Sequence, residues 1–272
     1  MDPVIAFVGG GNMARSLIGG LIARGHPAQA LRVAEPVQAL RDALQADFGV
    51  PVFADGPGAV ADADLWVLAV KPQVLRAVCA QLAPQAQARR PLLVSIAAGV
   101  RSAAIDAWLG GGQRIVRAMP NTPAQLGAGA TGLYAGPAVD PAARALAAQL
   151  LAAAGICVWV EDEAQIDAVT ALSGSGPAYV FLLAEAMFAA GVAEGLPEAS
   201  ARALTVQTLL GAARMLAETG EDAAALRHRV TSPGGTTQAA IETFEAGGLR
   251  TLVAAAIHAA RVRGEQLAAA AG

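Results

Sequence analysis

The chain opens with an apolar run, Val4 to Val8, that feeds the turn Gly9-Gly10-Gly11-Asn12-Met13-Ala14 and then an amphipathic pattern from Met13 to Arg24. That order commits the segment to a strand, a tight glycine turn and a helix, and it reads G-x-G-x-x-A. The physics of such a turn is specific. Gly9 permits the sharp reversal, Gly11 leaves room for close approach of a pyrophosphate, and the helix N-terminus presents unpaired N–H groups to it. The next apolar run, Ala30 to Val33, leads to Glu35, about 20 residues on, where an acid would meet an adenosine ribose. A second reading of Glu35 stands beside it, as a first-turn helix acid before Pro36.

The alternation of apolar runs with helical patterns continues to about residue 160, which is the signature of a parallel sheet covered on both faces. Strands are expected at Ile5 to Gly9, Leu31 to Ala34, Val50 to Phe53, Leu65 to Val70, Leu92 to Ile96, Arg114 to Met119, Ala130 to Tyr134 and Cys157 to Val160. The clearest helix is Pro141 to Ala154, with Asp140 as N-cap, Pro141 in the first turn and Gly155 as stop. The turn Met119-Pro120-Asn121-Thr122-Pro123 is too proline-rich for regular structure. It either closes the sheet against a second domain or simply connects two strands.

After Glu161-Asp162-Glu163 only helices are expected, including Ala164 to Leu172, Pro177 to Ala190, Pro197 to Glu218, Asp222 to Arg229, Thr236 to Ala246 and Leu249 to Ala270. The fold class is therefore α/β, an N-terminal Rossmann-type doubly wound sheet over residues 1–162 followed by an all-α domain over 163–272. Pro177 to Ala190 carries Glu185 as its only charge. A helix apolar on most of its surface must be covered on most of its surface, so this domain is expected to form a homodimer core, with higher homo-oligomers left open.

Composition narrows the function. Of 272 residues, 55% are hydrophobic and 15% charged, and the net charge is −3, with no basic face for nucleic acid. Residue 4 already begins a strand, so no removable signal is expected, and uncharged stretches such as Thr122 to Val139 are broken by Gly and Pro, so no membrane span is expected. Cys79 and Cys157 lack metal or redox spacing, which suits reduced thiols in a cytoplasmic protein. His26, His228 and His258 are scattered, and no metal site is expected. Lys and Arg total 19, yet Lys71 is the single lysine. It follows Leu65 to Val70 and precedes Pro72, at the carboxyl end of a strand where ligands of parallel sheets collect. Its survival by chance on a surface is the competing reading.

A second anion seat lies far along the chain, in Val230-Thr231-Ser232-Pro233-Gly234-Gly235-Thr236-Thr237. Glycines expose backbone, a helix N-terminus supplies N–H donors, and Ser232, Thr236 and Thr237 add hydroxyls able to orient a small carboxylate. Alone, such a turn reads equally as a helix cap. With few reactive side chains of its own, the chain would depend on a dinucleotide for reactivity and would itself supply positioning.

These motifs, with Ala69-Val70-Lys71-Pro72-Gln73, Ser95-Ile96-Ala97-Ala98-Gly99-Val100, the stretch Asp167 to Tyr179 reading DAVTALSGSGPAY, and the run EAGGLR ending at Arg250, resemble the pyrroline-5-carboxylate reductases along nearly the whole chain. The resemblance implies that NADPH or NADH reduces the C=N bond of 1-pyrroline-5-carboxylate to give L-proline. It assigns Gly9, Gly10, Gly11, Asn12 and Met13 to the pyrophosphate turn, and Ala69, Val70, Lys71, Pro72, Ile96, Ala97 and Ala98 to the nicotinamide ribose and ring. It assigns Ser232, Gly234, Gly235, Thr236 and Thr237 to the substrate, with Thr237 as the catalytic hydroxyl, and places Glu163 and Arg229 in the same pocket. Ser173 to Pro177 either borders that pocket or is a structural helix start.

Two positions depart from the family pattern. Glu35 would repel a 2′-phosphate and favour NADH, and Gly56 stands where a polar side chain near the ribose is expected. Two other classes remain in view. One is a different reductase on the same plan, an imine reductase or a 3-hydroxyacid dehydrogenase; the latter would use a lysine in the helical domain, and residues 72–272 contain none. The other is a dinucleotide-binding sensor without chemistry, which should lack an intact second seat.

Overall fold

A computed structural model describes residues 2–271, with side chains through Ala269; Met1 and Gly272, the outer ends of the two expected domains, lie outside it. By internal contacts the chain divides into two units. The first spans 1–175 together with 259–272, and the second spans 176–258.

The first unit holds an eight-stranded sheet: β1 (Ile5–Val8), β2 (Leu31–Ala34), β3 (Val52–Phe53), β4 (Leu65–Leu68), β5 (Leu92–Ser95), β6 (Arg114–Met119), β7 (Gly129–Ala135) and β8 (Gly155–Trp159). Their order across the sheet is β3-β2-β1-β4-β5-β6-β7-β8. Side chains alternate across a strand, and β1 shows the consequence. Ile5 and Phe7 enter one core with α1 (Asn12–Ala23), α2 (Gln38–Phe48) and α6 (Pro141–Leu151). Ala6 and Val8 enter the opposite core with α3 (Gly56–Val60), α4 (Pro72–Arg89) and α5 (Ser102–Trp108). Two fully covered faces require strands apolar on both sides, which is why β1, β4 and β5 are buried at every position.

The sheet is not wholly parallel, which corrects the expectation above. β6 and β7 pair antiparallel, Arg117 opposite Tyr134, while β7 and β8 pair parallel. The reason is the length of the link. Pro120 to Ala128 is too short to carry a crossover back over the sheet, so the chain must reverse. It does so through a 3-10 turn, Thr122–Leu126, in the segment expected to be irregular.

The N-terminal cap expected for α6 is present, but the helix ends at Leu151 rather than Ala154, and a 3-10 turn, Ala152–Ala154, leads to Gly155 at the start of β8. The Asp140 carboxylate accepts from Ala143 N–H at 2.7 Å, and Pro141 sits in the first turn of α6. By internal contacts the first unit runs on past Asp162, the boundary expected from sequence. Helix α7 (Gln165–Val169) and a π-turn, Thr170–Gly174, stay with the sheet, because Val169 packs where a Cβ on Gly132 would stand. Pro177 has no N–H to give to Ser173 C=O four residues before it. Asn121 Nδ2 donates to that carbonyl at 3.0 Å, while Asn121 Oδ1 accepts from Ala130 N–H at 2.9 Å.

The second unit contains α8 (Gly176–Ala193), α9 (Glu198–Glu218), α10 (Ala223–Arg229), α11 (Thr236–Ala246) and the first part of α12 (Leu249–Ala271). Among its residues only Ala201, Thr205 and Leu226 are buried, while Phe181 and Leu182 of α8 are 62% and 66% exposed. The helical run Gln165–Ala193, of mean hydropathy 1.5, is long and apolar enough to cross a membrane by length and composition alone.

Gly155 has φ +147, and a Cβ there would collide with the backbone carbonyl of Gly129 on β7. Gly25 has φ +90 with open space around it. Gly155→Ala should therefore cost about 3 kcal/mol and Gly25→Ala about 1 kcal/mol. Urea unfolding followed by tryptophan fluorescence checks this, since Trp66, Trp108 and Trp159 all report on the first unit; equal losses would contradict the packing argument.

Candidate active site

The carboxyl ends of β1, β2 and β4 open into a cleft of about 620 Å³. Gly9, Gly10, Gly11, Glu35, Asp55, Ala69, Val70 and Lys71 contribute to its lining. Each glycine of the turn has a separate reason. At Gly9, φ is +108 and a Cβ would stand 2.8 Å from Ala69 O, so the turn closes against β4 only without a side chain. A Cβ on Gly10 would lie 2.7 Å from Leu44 Cδ1. At Gly11 nothing lies within 4 Å of a Cβ, so its bareness leaves open space over the N-terminus of α1. Gly11 caps that helix with no side-chain hydrogen bond, and Ala14 is buried where helix and strand pack closely. Uncapped amides facing open space fit a diphosphate.

Glu35, 8% exposed, turns its carboxylate back onto the turn. It accepts from Gly10 N–H and from Val37 N–H, each at 3.1 Å, and so occupies two amides that could otherwise serve an anion. Asp55, which sequence reasoning missed, puts a polar side chain in the cleft one residue before Gly56. It caps α3 by accepting from Gly58 N–H at 2.9 Å, and Gly56 is buried against Leu82. The Asp-Gly-Pro-Gly sequence carried the signal for this cap. Lys71 is the N-cap of α4 and lines the cleft, whereas Pro72 and Ala98 line an adjoining cavity of about 540 Å³ with Trp108 and Asp167. Ile96 packs on one core and Ala97 is buried in the other, so their reach toward a ligand is through backbone. Asn12 lines a separate groove along α1, and Met13 packs on the core.

Below loop 96–101 lies a knot of charges. Arg117, in the middle of β6, is 2% exposed. Its guanidinium donates to Glu163 Oε1 at 3.0 Å, and the same carboxylate accepts from Ser102 N–H at 2.6 Å and Ser102 Oγ at 2.9 Å. Arg101 donates to Asp167, itself 3% exposed, at 2.8 Å. Burial pulls Arg117 below the usual guanidinium range, and Glu163 pulls it back. Glu163 was expected in the substrate pocket. Here three donors, Ser102 N–H, Ser102 Oγ and Arg117, meet its two oxygens, and it ties α5 to β6. The signal was present in the sequence, since an arginine inside a buried strand demands a partner.

In the second unit, Ser232 and Gly234 are exposed and Thr237 is half-buried. Gly234 has φ +70, which favours glycine at that corner. Gly235 N–H donates to Ser232 O at 3.0 Å, and Gly234 N–H donates to Gln238 Oε1 at 2.7 Å. Gly235 caps α11 and offers no side-chain acceptor to the first-turn amides of Thr236 and Thr237. Arg229 is paired with Glu221 at 2.9 Å and is 53% exposed.

Comparison with known proteins places these features in one family. Residues 163–267 match the family described as pyrroline-5-carboxylate reductase dimerisation, and residues 4–99 match NADP oxidoreductase, coenzyme F420-dependent. The chain is 53% identical to pyrroline-5-carboxylate reductase of Pseudomonas aeruginosa, over 98% of this chain and 97% of that protein. A solved pyrroline-5-carboxylate reductase from Coxiella burnetii superposes with TM-score 0.95 at 44% identity, covering 97% and 98% of the two chains. The Plasmodium falciparum enzyme, solved with NADP bound, gives 0.86 at 25% identity, covering 98% of each. With a Rossmann cleft in the first unit, a Ser-Pro-Gly-Gly-Thr-Thr helix start in the second, and relatives matched across both, the chain belongs to the pyrroline-5-carboxylate reductase family.

Proposed function

We infer that this chain reduces 1-pyrroline-5-carboxylate to L-proline with NAD(P)H, the closing step of proline biosynthesis. The observation that carries the reading is that one 53% match runs through both seats, the glycine cleft and the uncapped start of α11. NAD(P)H supplies the hydride for the imine carbon. The protein's own contribution is orientation. The amides of Thr236 and Thr237, the hydroxyl of Ser232 and the bare backbone of Gly234 and Gly235 hold the substrate carboxylate, and the Thr237 hydroxyl hydrogen-bonds the ring nitrogen as it gains its proton. Wild-type protein should oxidise NAD(P)H only when pyrroline-5-carboxylate is present, and absence of that oxidation with either cofactor would reject the assignment. Thr237→Ala should lower kcat about 10- to 100-fold; unchanged turnover would remove its role.

NADH is the favoured donor in this reading. The adenosine end of the cleft carries two acids, Glu35 and Asp55, and Glu35 already holds the amides of Gly10 and Val37. A 2′-phosphate would meet like charge and find those donors taken. Glu35→Ser should raise the NADPH-to-NADH ratio of kcat/KM about tenfold, equivalent to about 1.4 kcal/mol. A wild-type preference for NADPH would contradict it.

A second copy of the chain covers α8 and α9, forming a homodimer in the cytoplasm. Support comes from the near-absence of buried residues in the second unit and from the dimerisation family matching 163–267. Light scattering should give at least twice the chain mass at micromolar concentration, and Phe181→Glu should lower it. A monomeric wild type would overturn this.

A further inference from the structure

Loop 96–101 links β5 to α5 and carries Ile96, Ala97 and Ala98, the residues assigned to the nicotinamide end of the cofactor. Its start is held by the sheet, through Ile96 N–H to Leu68 O at 3.1 Å. Its far end is held otherwise. Arg101 is fixed to Asp167 at 2.8 Å, and Ser102 offers both N–H and hydroxyl to Glu163, which Arg117 clamps from beneath. Asp167 also lines the cavity that Ala98 and Gly99 enter.

Stability alone does not account for this arrangement. Taking an arginine and two carboxylates out of water costs more than their attraction returns unless the geometry is well satisfied, and apolar side chains of similar volume would pack as well. What paired charges add is a single permitted arrangement, because any displacement of Ser102 or Arg101 leaves a buried ion short of its partner. The adenosine end of the cleft is fastened separately, by Glu35 to Gly10 and Val37.

We infer that Glu163 and Asp167 are positioning residues, which fix loop 96–101 in the arrangement that receives the nicotinamide end of the cofactor while leaving the adenosine end untouched. The inference rests on the reductase reading above. It makes the two ends of one cofactor separable by a substitution that touches neither.

The test compares binding of NADH with binding of ADP-ribose, which lacks the nicotinamide, by calorimetry on the full chain without substrate. In Glu163→Gln, the Kd for NADH should rise about tenfold while that for ADP-ribose stays within about twofold. Turnover of pyrroline-5-carboxylate should fall up to about 100-fold through kcat, with little change in substrate KM, as expected for a displaced reaction partner. Ser102→Ala removes one of the three bonds and keeps the Arg117 pair, so it should shift NADH alone in the same direction by about threefold, and it carries the test should the Glu163 variant not fold. Equal weakening of both ligands in these variants would show general loosening and overturn the inference. Unchanged NADH binding would also overturn it, and a raised KM for pyrroline-5-carboxylate alongside would return Glu163 to the substrate. Failure of the unmodified protein to bind NADH or to turn over substrate would instead reject the reductase reading on which this rests.

Discussion

The first unit depends on one close approach. The backbone at Gly9 passes so near the end of β4 that a methyl group would stand 2.8 Å from Ala69 O. Because it passes there, the amides at the start of α1, the Lys71 cap of α4 and the acid ending β2 share one cleft. A larger residue at 9 would force the turn off the sheet and scatter those groups. Everything that marks the cleft as a dinucleotide site follows from the meeting of these two strand ends.

Two kinds of fastening then divide the work. Apolar burial on both faces fixes the sheet, with Phe7, Val67 and Val94 in one core and Trp66, Leu68 and Leu93 in the other. Such contacts are non-directional, and they set strand order better than loop shape. The loops at the carboxyl edge are held by directional bonds instead. Glu35 ties the β1 turn, Asn121 ties the 3-10 turn to Ser173, and Glu163 with Asp167 ties loop 96–101. The second unit follows another plan, with almost no interior of its own. The dimer proposed above would give its apolar helices the burial that the chain alone does not.

Much of this was legible in the sequence, for reasons that can be named. Strand positions were readable because a strand buried on both faces is a short apolar run, and the start of α6 because Asp140 and Pro141 mark it. The glycine turn and the Ser-Pro-Gly-Gly-Thr-Thr turn were readable because amide-lined seats demand small residues. Strand direction was not readable from apolar pattern, although the short link from Pro120 to Ala128 held the answer. The partners of Arg117 were invisible because Glu163 and Ser102 are far apart in the chain and meet only once the sheet is assembled. For the same reason the bonds from Glu163 to Ser102 and Arg117 were not foreseen, and Gly56 drew attention that belongs to Asp55.

Reduction of the imine requires that both amide seats serve one reaction. A crystal structure of the assembled protein with NAD+ and L-proline measures this directly. The account predicts the proline carboxylate on the amides of Thr236 and Thr237, with its ring carbon about 3 to 3.5 Å from the reactive carbon of the nicotinamide. A proline bound elsewhere, or seats facing apart so that no bound dinucleotide reaches the start of α11, would contradict it.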